Sequence, residues 1–158
     1  MNSLIEQHYP ILKQALILRH EMLASLADGD LLFSLPNNMT LGELCCQQGA
    51  IDQSYIEAFK TFNQNWDYHY PNTSVETNLS ELRTWYNQLE EELEATISHL
   101  TEEQVQTQII NRGSEFNFPI SIVFHIYRES LLIFYAKASI YLRALNKPLS
   151  DQWLTWIG

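Results

Sequence analysis

Residues 40–55 read TLGELCCQQGAIDQSY, and the way this stretch is punctuated decides the fold. Thr40 and Glu43 have capping-box spacing, in which a hydroxyl and a carboxylate each satisfy one orphan amide of a helix start. Leu41, Leu44, Gln48, Ile51 and Tyr55 then recur at three- and four-residue intervals, which is one face of an α-helix. That periodicity predicts a helix from Leu41 to about Phe62. Gln48 falls in the middle of the apolar face, with Gln47 beside it. A buried primary amide without partners costs on the order of 1–3 kcal/mol. The helix therefore either satisfies Gln48 inside the core or lines a site.

The same pattern recurs along the chain. A first helix is expected from a Ser3/Glu6 capping box to about Ala27, with Ile5, Leu12, Leu16, Leu23 and Leu26 inward, ending at the ADGD turn with Gly29 as its left-handed stop. Pro10 fits within its first turns. After FSLPNNM and the second helix, the long connection NQNWDYHYPNTSVETN leads to a third helix, about Leu79 to Leu100. Its stripe is Leu79, Leu82, Tyr86, Leu89, Leu93, Ile97 and Leu100. TEEQ starts a short extra turn with its own capping box, Thr101 to Gln104. TQIINRGSEFNFP reads as a small extended hairpin around Arg112-Gly113. A fourth helix is expected from Pro119 to about Leu145, with Val123, Tyr127, Leu131, Phe134, Ala138 and Tyr141 on one line. Four long helices with one long crossover give an all-α four-helix bundle with a possible short extended segment before the fourth helix, in a single domain spanning residues 1–158.

Composition narrows the function. The formal charge of −10, from 19 acidic and 9 basic residues, leaves no basic stripe for a nucleic-acid backbone. Nothing approaches about 18 uninterrupted apolar residues, so no membrane span is expected. MNSLIEQHYP carries no basic leader and no apolar run, and the two cysteines are adjacent, Cys45-Cys46. A reduced, cytoplasmic chain is the expectation. No phosphate loop, CxxC pair, HExxH or GxSxG elbow is present.

Five histidines remain. His8, His20 and His99 have polar neighbours and read as solvated or capping groups. His69 lies in WDYHYP, an aromatic loop able to pack over one end of the bundle or to gate a ligand. His125 and Glu129 stand one helical turn apart, a spacing that can chelate a divalent ion, but helical phase turns both away from the core stripe. The cysteines read as small apolar fillers, with a reactive thiol as the alternative.

Three stretches, TLGELCCQQGAIDQSY, LEATISHLTEEQVQTQI and SLLIFYAKASIYLRALNKPL, resemble the second helix, third-helix end and fourth helix of the DinB/YfiT-like superfamily of metalloenzymes. The resemblance implies a bundle with a cleft at one end, frequent dimerisation, and a three-histidine metal site with one ligand from the second helix and two from the fourth. Anchored on YLRAL, those positions fall on Gln47, Ser130 and Phe134, and the acidic position that follows the first falls on Asp52. An amide, a hydroxyl and a phenyl ring are a poor set for zinc or nickel.

Three functions follow as expectations. The first is a metal-free small-molecule or partner-binding bundle whose cleft is formed by Gln47, Gln48, Asp52, Tyr55, Tyr127, Ser130 and Phe134. The second is a metal-dependent hydrolase or thiol S-transferase of the DinB/YfiT-like type, built on an irregular zinc or nickel site from His125, Glu129 or His69. The third is a structural homodimerisation module, in which Ile122, Ile126, Ile133 and Ile140 form a second apolar stripe on the fourth helix.

Overall fold

The computed structural model describes residues 1–113 and 115–158. It is mostly helical, with a single two-stranded sheet among the described residues. Four helices are long: α1 (Tyr9–Ser25), α3 (Leu41–Thr61), α4 (Leu79–His99) and α6 (Ile120–Ala144). Three are short: α2 (Asp28–Leu31), α5 (Glu102–Thr107) and α7 (Asp151–Trp156). Helix α3 packs against α4 and α6, while α1 packs against α6. One apolar core draws residues from all four long helices, including Leu12, Leu18, Ile56, Phe59, Tyr86, Phe124 and Leu131. No helix among the described residues is long and apolar enough to cross a membrane.

The expected caps hold for α3 and α5. The Thr40 amide donates to Glu43 Oε2 at 2.6 Å and the Glu43 amide to Thr40 Oγ1 at 3.1 Å. Thr101 and Gln104 repeat the arrangement. Helix α3 ends on Phe62 in the left-handed region, φ 59°.

The first helix departs from expectation at both ends. Ser3 is already helical (φ −62°, ψ −29°) and makes no cap with Glu6. Buried Asn2 takes that role, its Oδ1 accepting from the Ile5 amide at 3.1 Å, while its Nδ2 donates to the carbonyls of Ile97 and Leu100. The Ser3 hydroxyl and amide instead donate to Glu102 at the start of α5. A π-helical turn, Leu4–His8, precedes α1, and Pro10, which has no N–H, stands at the junction.

At the other end the chain leaves α1 in extended geometry at Leu26 and starts the new helix α2, in which Gly29 carries no positive φ. The stop at ADGD comes from carboxylates. Asp30 Oδ2 accepts from the Ala27 amide at 2.7 Å, and Asp28 Oδ1 accepts from the Leu79 amide at 2.8 Å, tying this turn to the start of α4.

The extended segment is a two-residue antiparallel pairing, Ile109 opposite Pro119 and Ile110 opposite Phe118, with Gly113 at φ 76° in the connection. Ser114, within the expected hairpin, lies outside the described residues. After α6 the chain turns once more: Ser150 Oγ accepts from the Trp153 amide and caps α7, whose Trp153 buries its ring beside Tyr135.

Two glycines inside α3 set how neighbouring segments approach it, although each costs about 1 kcal/mol of helix propensity relative to alanine. A Cβ on Gly42 would overlap the Glu76 carbonyl of the 3₁₀ turn Thr73–Glu76, and one on Gly49 would overlap the Trp85 ring. The glycines let the 3₁₀ turn and Trp85 lie directly on the helix backbone.

Candidate functional site

The deepest polar feature is a guanidinium. Arg19 lies on α1 with no exposed surface and reaches two helices at once. Its Nη1 donates to Asp52 Oδ2 on α3, and its Nε and Nη2 donate to Glu90 Oε1 on α4 at 3.1 and 2.7 Å. Gln48 Nε2 donates to the other Asp52 oxygen, Oδ1, at 2.8 Å. The Tyr86 ring lies 4.1 Å from Arg19 Cζ, and its hydroxyl donates to the Cys45 carbonyl at 2.8 Å.

Removing a charge from water costs several kcal/mol, so a buried ion persists only when its partners and hydrogen bonds are close to complete. Burial pushes the Asp52 carboxyl above its ordinary range, against the downward pull of Arg19 and of the Gln48 amide. Burial likewise opposes the charge on Arg19, but Asp52 and Glu90 keep it protonated. Gln48 is thus a structural partner within the core, satisfied by a carboxylate that is itself satisfied by the guanidinium.

The network surfaces at one point. His20 Nε2 lies 2.8 Å from Glu90 Oε2, so His20, exposed as its polar neighbours imply, is also a partner of the network. His20 and Glu90 border an open cleft of about 470 Å³ between α1 and α4.

The residues expected to form a binding cleft do not share one environment. Gln48, Asp52, Tyr55, Tyr127 and Phe134 are buried, with the Tyr55 and Tyr127 rings 5.1 Å apart. Ser130 is half-buried and donates its hydroxyl to the Tyr127 carbonyl at 2.7 Å. Gln47 alone is exposed. It borders a cleft of about 480 Å³ shared with Leu44, Lys137 and Tyr141. It also borders a cleft of about 470 Å³ on the other side of α3.

The second of these clefts is built from one helical stripe and one loop. Glu43, Cys46, Gln47, Ala50, Ile51 and Ser54 form its floor, spaced at three and four residues along a face of α3 that flanks the core stripe. Trp66, Tyr68, His69 and Tyr70 form its wall, and Thr73 and Glu76 close one end.

The loop is pinned at several places. The Ser54 hydroxyl donates to the Asn65 carbonyl, the Gln64 amide donates to the Asn111 carbonyl at 2.8 Å, and Trp66 Nε1 donates to the Arg112 carbonyl at 3.3 Å. Arg112 places its guanidinium 5.1 Å from the Trp66 ring. Tyr70 stacks on Trp85 at 3.8 Å, and Trp85 rests on Gly49. The aromatic loop therefore packs along the flank of α3, with His69 in the cleft wall.

The groups offered for metal binding do not converge. His125 packs edge-on against His8, ring centroids 4.8 Å apart, while Glu129 is exposed and His69 belongs to the α3 cleft. Burial, then the neighbouring His8 and Arg128, hold the His125 imidazole below its ordinary pKa of 6.5. Among the described residues no group of three His, Cys, Asp or Glu side chains is arranged to hold a metal ion. Gln47, Ser130 and Phe134 do not supply a fitting donor set for a transition metal either.

The thiols offer no ready nucleophile. Burial pushes Cys45 up to about 12, and burial together with the adjacent Glu76 pushes Cys46 up to about 11. A thiolate is the reactive form, and burial disfavours it for both at neutral pH.

Sequence reasoning missed Arg19, and the signal for it was a gap. The inward positions Leu12, Leu16, Leu23 and Leu26 leave position 19 as the missing member of their series. The chain matches no known family model, and no curated protein is significantly similar to it.

Proposed function

We propose that this protein is a metal-free, small-molecule-binding four-helix bundle of the DinB/YfiT-like type, with its ligand site in the cleft between this flanking face of α3 and the segment 63–76. One observation carries the reading. Gln47, at the position the resemblance gives to a metal-binding histidine, is exposed in the floor of a cleft of about 470 Å³ whose aromatic wall is accompanied by the polar side chains of Glu43, Ser54, Thr73 and Glu76. An amide there can orient a ligand by hydrogen bonding where an imidazole would hold an ion.

Two measurements test this. Elemental analysis of purified protein should find no stoichiometric transition metal, and a tightly held zinc or nickel ion would sink the reading. Backbone-amide NMR against a fragment set should move Gln47, Ala50 and Ile51 together, and hits confined to other surfaces would refute the site.

A second reading, self-association, has its own observation. Ile122, Ile133 and Ile140 on α6 are 45%, 58% and 57% exposed, while Ile126 of the same stripe is partly buried against the core. An apolar stripe on an outer helix face suits pairing with a second copy. Light scattering at micromolar concentration should report a dimer mass, and Ile133→Glu should return it to a monomer; a monomeric wild type rejects this reading.

A further inference from the structure

The α3 cleft has a chemical polarity that specifies its ligand further. Its floor runs from Glu43 to Ser54, eleven residue steps of α-helix or about 16 Å. Two carboxylates lie toward the N-terminal end of that floor. Glu43 is itself on the helix, and Glu76 is brought close because Gly42 admits the 3₁₀ turn that carries it. Cys46, on the same floor, has its thiol pKa raised by burial and by the nearby Glu76 carboxylate. Ala50 and Ile51 make the middle of the floor apolar, and Trp66 and Tyr68 stand near Ser54 at the other end. Among the described residues no lysine or arginine lines the cleft.

Each carboxylate keeps acceptor capacity. Glu43 uses one oxygen to accept from the Thr40 amide, and an ionised carboxylate offers about four lone-pair sites. An anion entering this space would meet two like charges without a countercharge. A neutral apolar ligand would leave the carboxylates desolvated without compensation, which is unfavourable. A cation with an apolar body satisfies both ends, through charge-assisted hydrogen bonds at the acidic end and through aromatic contact at the other.

We infer that the α3 cleft binds an elongated organic cation of low molecular weight, a primary ammonium on an alkyl or arylalkyl body. The ammonium sits between Glu43 and Glu76, and the body lies along Ala50 and Ile51 toward Trp66 and Tyr68. Gln47, midway along the floor, supplies a neutral hydrogen-bonding group beside the body and reads any polar substituent there. This inference rests on the α3 cleft being the ligand site, as proposed above.

Three probes of one shape and different charge separate the possibilities: phenylbutylamine, phenylbutanol and phenylbutyrate, each with its polar group at the chain end. Each is titrated into the protein at neutral pH and followed by backbone-amide and indole NMR. The amine is expected to shift Gln47, Ala50, Ile51 and the Trp66 indole N–H, and to bind about tenfold or more tightly than the alcohol. The butyrate should bind most weakly of the three.

The Glu43→Gln/Glu76→Gln variant should lower the amine's affinity to that of the alcohol; glutamine at position 43 retains the capping box. Glu91→Gln/Glu94→Gln, at the cleft between α1 and α4, removes the same formal charge elsewhere and should leave amine affinity unchanged. An equal effect of the two double variants would show that the −10 net charge alone attracts the amine, and would overturn the inference. Equal binding of amine and alcohol would also overturn it, while leaving the cleft as a ligand site. If none of the three moves these residues at millimolar concentration, the cleft reading fails and the inference fails with it.

Discussion

Replacing Arg19 by methionine tests the central network most directly. The substitution keeps an unbranched apolar stem but removes the guanidinium that bridges Asp52 and Glu90. Glu90 retains His20 and some exposure, so the burden falls on Asp52, which is left with Gln48 Nε2 at 2.8 Å as its side-chain donor. Removing one partner of a buried ion pair costs about 3–5 kcal/mol. With a urea dependence of about 2 kcal/mol per molar, the unfolding midpoint should fall by about 1.5–2.5 M.

The cost should depend on pH, with a sign that follows from Asp52. Burial already holds its carboxyl above the ordinary range, and loss of Arg19 removes the strongest downward pull. A carboxyl with a folded pKa above its unfolded value binds more protons in the folded state. Stability then falls as pH rises from the unfolded carboxylate value through the folded one. Arg19→Met should therefore be most damaging at about pH 7.5 and recover part of its loss near pH 5. Adding Asp52→Asn removes the buried charge and should restore about 2 kcal/mol at neutral pH while flattening the pH dependence. Urea titrations of wild type, single and double variants at the two pH values measure all of this. A cost below about 1 kcal/mol for Arg19→Met, or one indifferent to pH, would show that solvent reaches the pair and would refute the buried network.

Other substitutions probe the rest of the structure. Gly49→Ala gains about 1 kcal/mol of helix propensity but drives a Cβ into the Trp85 ring, at about 1–3 kcal/mol of overpacking. A net loss of stability with altered near-ultraviolet circular dichroism is expected, and a stabilised variant would contradict the close approach. Gln48→Ala should cost about 1–3 kcal/mol by leaving Asp52 Oδ1 without its donor, whereas Gln47→Ala on the exposed side should stay within about 0.5 kcal/mol; equal costs in thermal unfolding would dissolve the distinction between them. His125 should titrate below the ordinary imidazole range by NMR, and His8→Ala should raise its pKa. Because its neutral form is the favoured one when folded, its contribution to stability is present above the unfolded pKa and is lost as pH falls through the folded pKa. Cys45 and Cys46 should react with an aromatic disulfide reagent only as the protein unfolds; rapid labelling of the native state would contradict their raised pKa values.

Helix extents are legible in the sequence where a cap and a stripe agree. Thr40 to Glu43 and Thr101 to Gln104 mark helix starts because each motif supplies both donors and acceptors locally. The Ser3/Glu6 pair has the same spacing but loses to tertiary partners: Asn2 reaches the end of α4, and Glu102 draws Ser3 away. Helices α2 and α7 are illegible because four and six residues show no period. Ser150 alone marks the start of α7, its hydroxyl accepting from the Trp153 amide, and a lone serine is too weak a signal to place a helix.

The site is less legible than the fold for a physical reason. Periodicity sorts residues by hydrophobicity, and Arg19 occupies an inward position while scoring as an outward one. Its burial becomes intelligible only with Asp52 and Glu90, which lie 33 and 71 residues away. The polar residues inside separate stripes, Arg19 on α1 and Gln48 with Asp52 on α3, are the trace of a single network that no one stripe can reveal. The α3 cleft is hidden differently, because its floor flanks the inward stripe of the helix, sharing Ile51 with it, and its wall comes from a loop that carries no period.

The adjacent glutamines of α3 therefore answer to different constraints. Successive residues on an α-helix are turned by about 100°, which sends Gln48 into the core and leaves Gln47 exposed. Gln48 is fixed by a chain of necessity: Arg19 needs Asp52, and Asp52 Oδ1 takes the Gln48 amide. No comparable requirement binds Gln47, which has no side-chain hydrogen bond to another described residue and borders two clefts. Packing explains the inner amide in full and leaves the outer one unexplained. Since an exposed residue without structural duty is where binding specificity can vary at little cost in stability, Gln47 is the member of the pair on which ligand recognition should depend.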